Sequence, residues 1–305
     1  MRMVRLFTCI LALSLAGWGC KKNMGTNPNS AHPLAFVLYG HTTAFESPAG
    51  ICVDSANNLY VADYGNNRIL KYDSNGNWLM TIGGSGVTWA APAGQPTHFL
   101  GPLAVSVDGA GNIYVLEGDQ ATEILVFSAA GVFTTSWGPG LLNQPSQLTV
   151  IGGVVYVADA ANNRIATFST AGAPGLTAGS GPGTLLGQLD GPSGVAVDGA
   201  GNIYVSDRGN HRIEVFNSAG AAVSIWGANQ VLPKGMAFDP SGHLWVVNDS
   251  SVQLSEFNSN GSLIQTWSPE DFPNAMDAAF DSTGAVWVSF TGNAVEYDHV
   301  SKFTH

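Results

Sequence analysis

The chain has 305 residues, 45% hydrophobic and only 11% charged, with 38 glycines and 15 prolines spread along its length. Its formal net charge is −11, which works against nucleic-acid binding, because phosphate contacts call for clustered Lys and Arg. Scattered Gly and Pro on this scale point to many short elements joined by tight turns, not to disorder.

In chain order, the first feature is an export signal. "MRMVR" supplies two arginines and "LFTCILALSLAGWG" an apolar run that ends at Cys20. Residues 1–19 therefore read as a signal peptide of lipoprotein type, with Cys20 as the lipidated first residue of the mature chain. The polar, Pro-containing stretch 20–32 reads as a flexible tether off the membrane, which places the protein outside the cytoplasm, anchored in a bacterial cell envelope. Removing the signal leaves nine Lys/Arg against 22 Asp/Glu, a net charge of 9 − 22 = −13. Cys9 is lost and Cys20 consumed, so Cys52 stands alone and reads as a buried, inert thiol.

From residue 33 to 305 one unit recurs. Its copies begin "SPAGICVDSANNLYVAD" (Ser47), "GPLAVSVDGAGNIYVLE" (Gly101), "QPSQLTVIGGVVYVAD" (Gln144), "GPSGVAVDGAGNIYVSD" (Gly191), "LPKGMAFDPSGHLWVVN" (Leu232) and "PNAMDAAFDSTGAVWVS" (Pro273). The first strand of each ends at Asp54, Asp108, Ile151, Asp198, Asp239 and Asp281, at intervals of 54, 43, 47, 41 and 42 residues. Each unit holds four short β-branched and aromatic stretches divided by Gly/Asn/Asp/Ser turns. The first two are nearly continuous apolar runs, as strands buried on both faces are. Four-stranded antiparallel units covered on both sides and repeated six times make an all-β, six-bladed propeller. The last unit runs out at "VEYDHVSKFTH", and "PLAFVLYGHT" (Pro33–Thr42) resembles an outer strand. The N-terminal segment should therefore complete the last blade and close the ring.

The pattern P-x-G-(V/I)-x-V-D…G-N-I-Y-V-(A/S)-D…G-N-(N/H)-R-I resembles the NHL-repeat family of six-bladed propellers, most clearly in units one and four. The resemblance implies the fold and says little of function, because the family includes sensors, interaction platforms and a few enzymes.

Two recurring constellations read as scaffold. The strand-end acids Asp54, Asp108, Asp198, Asp239 and Asp281 each precede a short turn whose N–H groups an Asp side chain caps. Asp63/Arg68, Asp159/Arg164 and Asp207/Arg212 face each other across the turn between second and third strands, a charge-assisted pair used three times. The histidines do not cluster: His98 and His211 are expected on the upper face, which carries the second-to-third-strand turns and the blade connections, and His243 and His299 on the lower. No metal or other cofactor is expected.

The irregular feature is the long connection Gly83–Gly101. Its Trp89, His98 and Phe99, with Tyr64, Asp119, Arg208 and His211 in turns of the same face, form the candidate site for a protein, peptide or small ligand. The sequence thus reads as a non-catalytic recognition scaffold. The alternative is a metal-dependent lyase or lactonase-like hydrolase in the central channel, disfavoured by inner strands made chiefly of Ala, Val, Ser and Gly.

Overall fold

The computed structural model describes residues 21–22, 34–118, 122–227, 232–249, 253–267, 274–292 and 298–304. Six four-stranded antiparallel blades form a ring. Blade one comprises Pro48–Val53, Leu59–Asp63, Arg68–Tyr72 and Trp78–Gly83, and blades two to five repeat that order from Pro102, Pro145, Pro192 and Pro233. In blade six, Ala275–Phe280, Val286–Phe290 and His299–Phe303 are completed by Leu34–Leu38, whose Val37 pairs with Ser301. The expected closure by the N-terminal strand is therefore seen. Lys21–Lys22 pair outside it, opposite Leu38 and Val37, where an open strand edge offers free N–H and C=O groups.

Side-chain alternation explains why the blades stack. In the second strand of blade two, Ile113 and Val115 join a cluster with blade one, whereas Tyr114 and Leu116 join a cluster with blade three. Six such clusters fill the six gaps between neighbouring blades. Each fully buried Val, Leu or Ile in them contributes about 1.5–3 kcal/mol.

The turns obey local backbone demands. After the first strand, one turn residue must take a left-handed conformation: Gly201 does so in blade four (φ 83°) and Asn57 in blade one (φ 63°). The residue before each Arg of the scaffold pair does likewise: Asn67 (φ 53°), Asn163 (φ 52°) and His211 (φ 53°). Asn and His are among the few non-glycine residues that accept this region.

Candidate functional site

Both recurring constellations are closely hydrogen-bonded within their own turns. Asp198 Oδ1 accepts the backbone N–H groups of Ala200 and Asn202, while Oδ2 accepts Asn202 Nδ2 and the Tyr204 hydroxyl. Asp54 and Asp108 repeat the set, and these hydrogen bonds outweigh burial to hold all three carboxyls below the usual range.

The Asp/Arg pairs close at 2.6 Å (Asp63–Arg68) and 2.7 Å (Asp159–Arg164 and Asp207–Arg212). Their other bonds show what they do. Arg68 donates to the carbonyls of His41, Thr43 and Ala44, and Arg212 to those of Thr184, Leu185 and Gln188. The second oxygen of each Asp accepts a backbone N–H just ahead of its blade: Glu46, Asn143 and Asp190. Each pair therefore pins the connection that enters its own blade. Blade two keeps half of this clamp, with Glu117 accepting the Leu100 N–H.

The predicted upper-face residues do not converge. Trp89 stacks on Phe133 (5.9 Å between centroids) and meets Phe99 and Phe127 edge-on at 4.9 and 5.2 Å. Its indole N–H donates to Pro96 O at 2.8 Å, and Phe99 is fully buried. Both aromatics extend the cluster between blades one and two. His98 is exposed, Tyr64 half-buried, and His211 occupies the left-handed turn position. Asp119 and Cys20 lie outside the described residues. His299, expected in a lower-face turn, instead opens the third strand of blade six and stacks on Phe290. As the third strand of an antiparallel blade it runs downward from the upper face, so its first residue, His299, sits at the upper end beside Phe290.

Among the described members of the predicted set, Arg208 alone reaches the central channel. A cavity of about 210 Å³ opens there, lined by Ala49, Leu103, Ser193, Lys234 and Met276 of the inner strands and by Arg208. Asp249 accepts Lys234 Nζ at 2.7 Å and pairs with Arg208. Burial alone would raise the Asp249 carboxyl, but these two cations hold it low.

Beneath lies a polar crossbar. Gln147 of blade three donates its Nε2 to Asp277 Oδ1 of blade six at 3.0 Å, and its Oε1 accepts the Val195 N–H at 2.8 Å. Asp277 also accepts the N–H groups of Ile51 and Ala278, both at 3.0 Å. It is 5% exposed, and burial pushes its carboxyl up to about 7 despite these donors. Only small neighbours leave room: a Cβ on Gly235 would sit 2.0 Å from Asp277 Oδ1, and one on Gly194 would sit 3.0 Å from Gln147 Oε1.

Sequence reasoning missed Gln147, Lys234, Asp249 and Asp277. A signal existed, however: the third inner-strand position reads Gly50, Ala104, Gln147, Gly194, Gly235, Asp277, with two long polar residues in blades opposite each other. The thiol of Cys52, partly buried beside the channel, is pushed up by burial and by Asp54 and Asp277, as an inert cysteine would be.

The NHL repeat model matches residues 45–72 and 189–216, the cores of blades one and four. Peptidylglycine alpha-amidating monooxygenase of Rattus norvegicus is 30% identical over 140 residues, which cover 41% of this chain and 14% of that protein. The chain thus matches only about a seventh of that relative's length. Among solved structures, a gluconolactonase from Xanthomonas campestris superposes with a TM-score of 0.63 at 19% identity, covering 88% of this chain and 89% of that one. A chain of a nidogen/laminin complex gives 0.59 at 16% identity, covering 78% and 90%. At such identities the structures share the fold.

Proposed function

From a chain that is a six-bladed propeller carrying NHL repeats, we propose a non-catalytic recognition module that takes the acidic end of a peptide or small ligand at the upper mouth of its channel. The observation that carries this reading is the pairing of Lys234 and Arg208 with Asp249 above the Gln147–Asp277 crossbar. Each cation spends one donor on Asp249 and keeps further N–H groups for a ligand carboxylate. A cavity of about 210 Å³ suits a terminal group, with apolar contact from Leu103 and Met276 and hydrogen bonding at the walls.

The donor set weighs against a metal-dependent lyase or lactonase at this place. One carboxyl and one amide face the cavity, and the ammonium and guanidinium beside them repel a divalent cation. Among the described residues, the channel holds no group of three His, Cys, Asp or Glu donors within reach of one another.

The test is calorimetric titration with short peptides bearing a free C-terminal carboxylate, each against its amidated counterpart. Binding of the free acid, weakened at least tenfold by amidation, by Lys234→Met or by Arg208→Ala, is the expected result. Equal binding of acid and amide, or affinity unmoved by both variants, sinks the proposal. Export and lipid anchoring remain part of the proposal and rest on residues 1–20. Labelling with radioactive palmitate should mark the wild type and leave Cys20→Ala unmarked.

A further inference from the structure

A different group of side chains lies at the lower end of blade five, outside the proposed recognition site and independent of it. Asp239 directly follows the first strand, Pro233–Phe238, His243 closes the turn after it, and Glu256 lies in the third strand opposite Trp245. One donor atom from each lies within 4.8 Å of the others. His243 Nδ1 is 2.7 Å from Glu256 Oε1 and 3.9 Å from Asp239 Oδ2.

The repeat itself shows what is unusual here. In blade one the third strand places Lys71 opposite Tyr60, where its ammonium lies over the ring and 3.6 Å from Asp54 Oδ2. In blade six Lys302 lies over Trp287 and 2.9 Å from Asp281 Oδ2. Each of these strand-end carboxylates is thus faced by a cation across an aromatic residue. Blade five keeps the aromatic residue as Trp245 and keeps the carboxylate as Asp239, but Glu256 stands where the lysine would be. A second change accompanies it. The turn residue that is Asn58, Asn112 or Asn202 elsewhere, bonded to its own Asp, is His243, and its imidazole faces the new glutamate. Blades two to four carry Val126, Thr167 and Val215 at the Glu256 position, so blade five differs from every other blade by adding one carboxylate and one imidazole beside its strand-end Asp.

We propose that this slot binds a divalent transition-metal cation of the zinc class, through Asp239 Oδ2, His243 Nδ1 and a Glu256 oxygen. Two carboxylates with a neutral imidazole leave the charge that one such ion neutralises, and a mixed nitrogen and oxygen set favours zinc over magnesium or calcium. Around tetrahedral zinc, ligand atoms sit about 3.3 Å apart for bonds of about 2.0 Å. The His243–Glu256 separation need open, and the Asp239 separations need close, only by amounts that side-chain rotation supplies. Outer partners are already in place: Gln265 Nε2 donates to Glu256 Oε2 at 2.6 Å, and Trp245 Nε1 to Asp239 Oδ2 at 3.1 Å. His243 is partly exposed, so a fourth position is open to water.

The full chain, stripped of metal, is titrated with Zn²⁺ by calorimetry, with Ca²⁺ and Mg²⁺ in parallel. His243→Asn and Glu256→Lys install residues that sister blades already carry at these positions, and circular dichroism checks that both variants fold. One Zn²⁺ per wild-type chain, bound more tightly than Ca²⁺ or Mg²⁺ and at least about tenfold more weakly by each variant, is the expected result. A rise in the wild type's melting temperature on adding Zn²⁺, absent from both variants, gives the same answer without calorimetry. Three results overturn the assignment: no binding to the wild type, equal binding to wild type and variants, or preference for Ca²⁺.

Discussion

Replacing Asp277 by Asn should change how stability depends on pH more than it changes stability at low pH. The carboxyl titrates near 3.8 when unfolded and, because of burial, at about 7 in the fold. The native state therefore binds the extra proton, so this contribution is fully present below about pH 4 and is lost as pH rises through about 7. Three units at about 1.4 kcal/mol each make the loss about 4 kcal/mol. Asn cannot titrate. Its carbonyl can accept only part of what Asp277 takes from Gln147, Ala278 and Ile51, as the protonated acid also does, so the two proteins should be close near pH 4. By about pH 8 the variant should have gained up to about 4 kcal/mol on the wild type. Asp63, Asp207 and Glu214 are also raised by burial, but they shift both curves alike and cancel in the difference. Urea unfolding followed by tryptophan fluorescence, at intervals from about pH 4 to 8, measures it. Parallel curves, differing by a constant within about 1 kcal/mol, would refute the buried-acid account of the crossbar.

Other outcomes follow from the same geometry. Gly235→Ala puts a methyl 2.0 Å from Asp277 Oδ1 and should cost about 2–5 kcal/mol through the broken crossbar. In an Asp277→Ala background the cost should shrink without vanishing, since the Asp277 Cα remains 2.9 Å away; strict additivity in a double-mutant cycle would contradict this. Arg68→Ala should cost about 3–5 kcal/mol, because buried Asp63 loses its partner. Arg208→Ala, whose side chain is 49% exposed, should stay within about 1 kcal/mol in the same denaturation assay. Trp89→Ala should lower stability by about 3 kcal/mol through lost packing on Phe99, Phe127 and Phe133, while peptide affinity at the channel mouth stays unchanged.

Repetition made most of the fold legible. Nearly continuous apolar inner strands, Gly/Asn turns and six copies of one unit dictate antiparallel blades, because those strands must bury both faces and only a neighbouring blade can cover them. The roles of Asp63 with Arg68, and of Asp54 in its turn, were readable for the same reason. Their partners lie within a few residues, and three or more copies make a scaffold role the simplest account. Trp89 shows where that legibility stops. An aromatic residue in a long loop can meet a ligand or roof a core, and only the position of Phe127 and Phe133 decides for the core.

The sequence alone determined the blades, their number and the hairpin clamps, since these depend on local periodicity and on neighbours close along the chain. The closing strand could be read because Pro33–Thr42 resembles the outer strand that the last unit lacks. The tertiary structure decided the channel. Gln147 and Asp277 are 130 residues apart and meet only because ring closure sets blades three and six across from each other. Lys234 and Arg208 converge on Asp249 because adjacent blades turn the ends of different strands toward one axis. Burial there raises one carboxyl to about 7, and two cations hold another low. That difference depends on solvent and distance, which the ring imposes and no local pattern encodes.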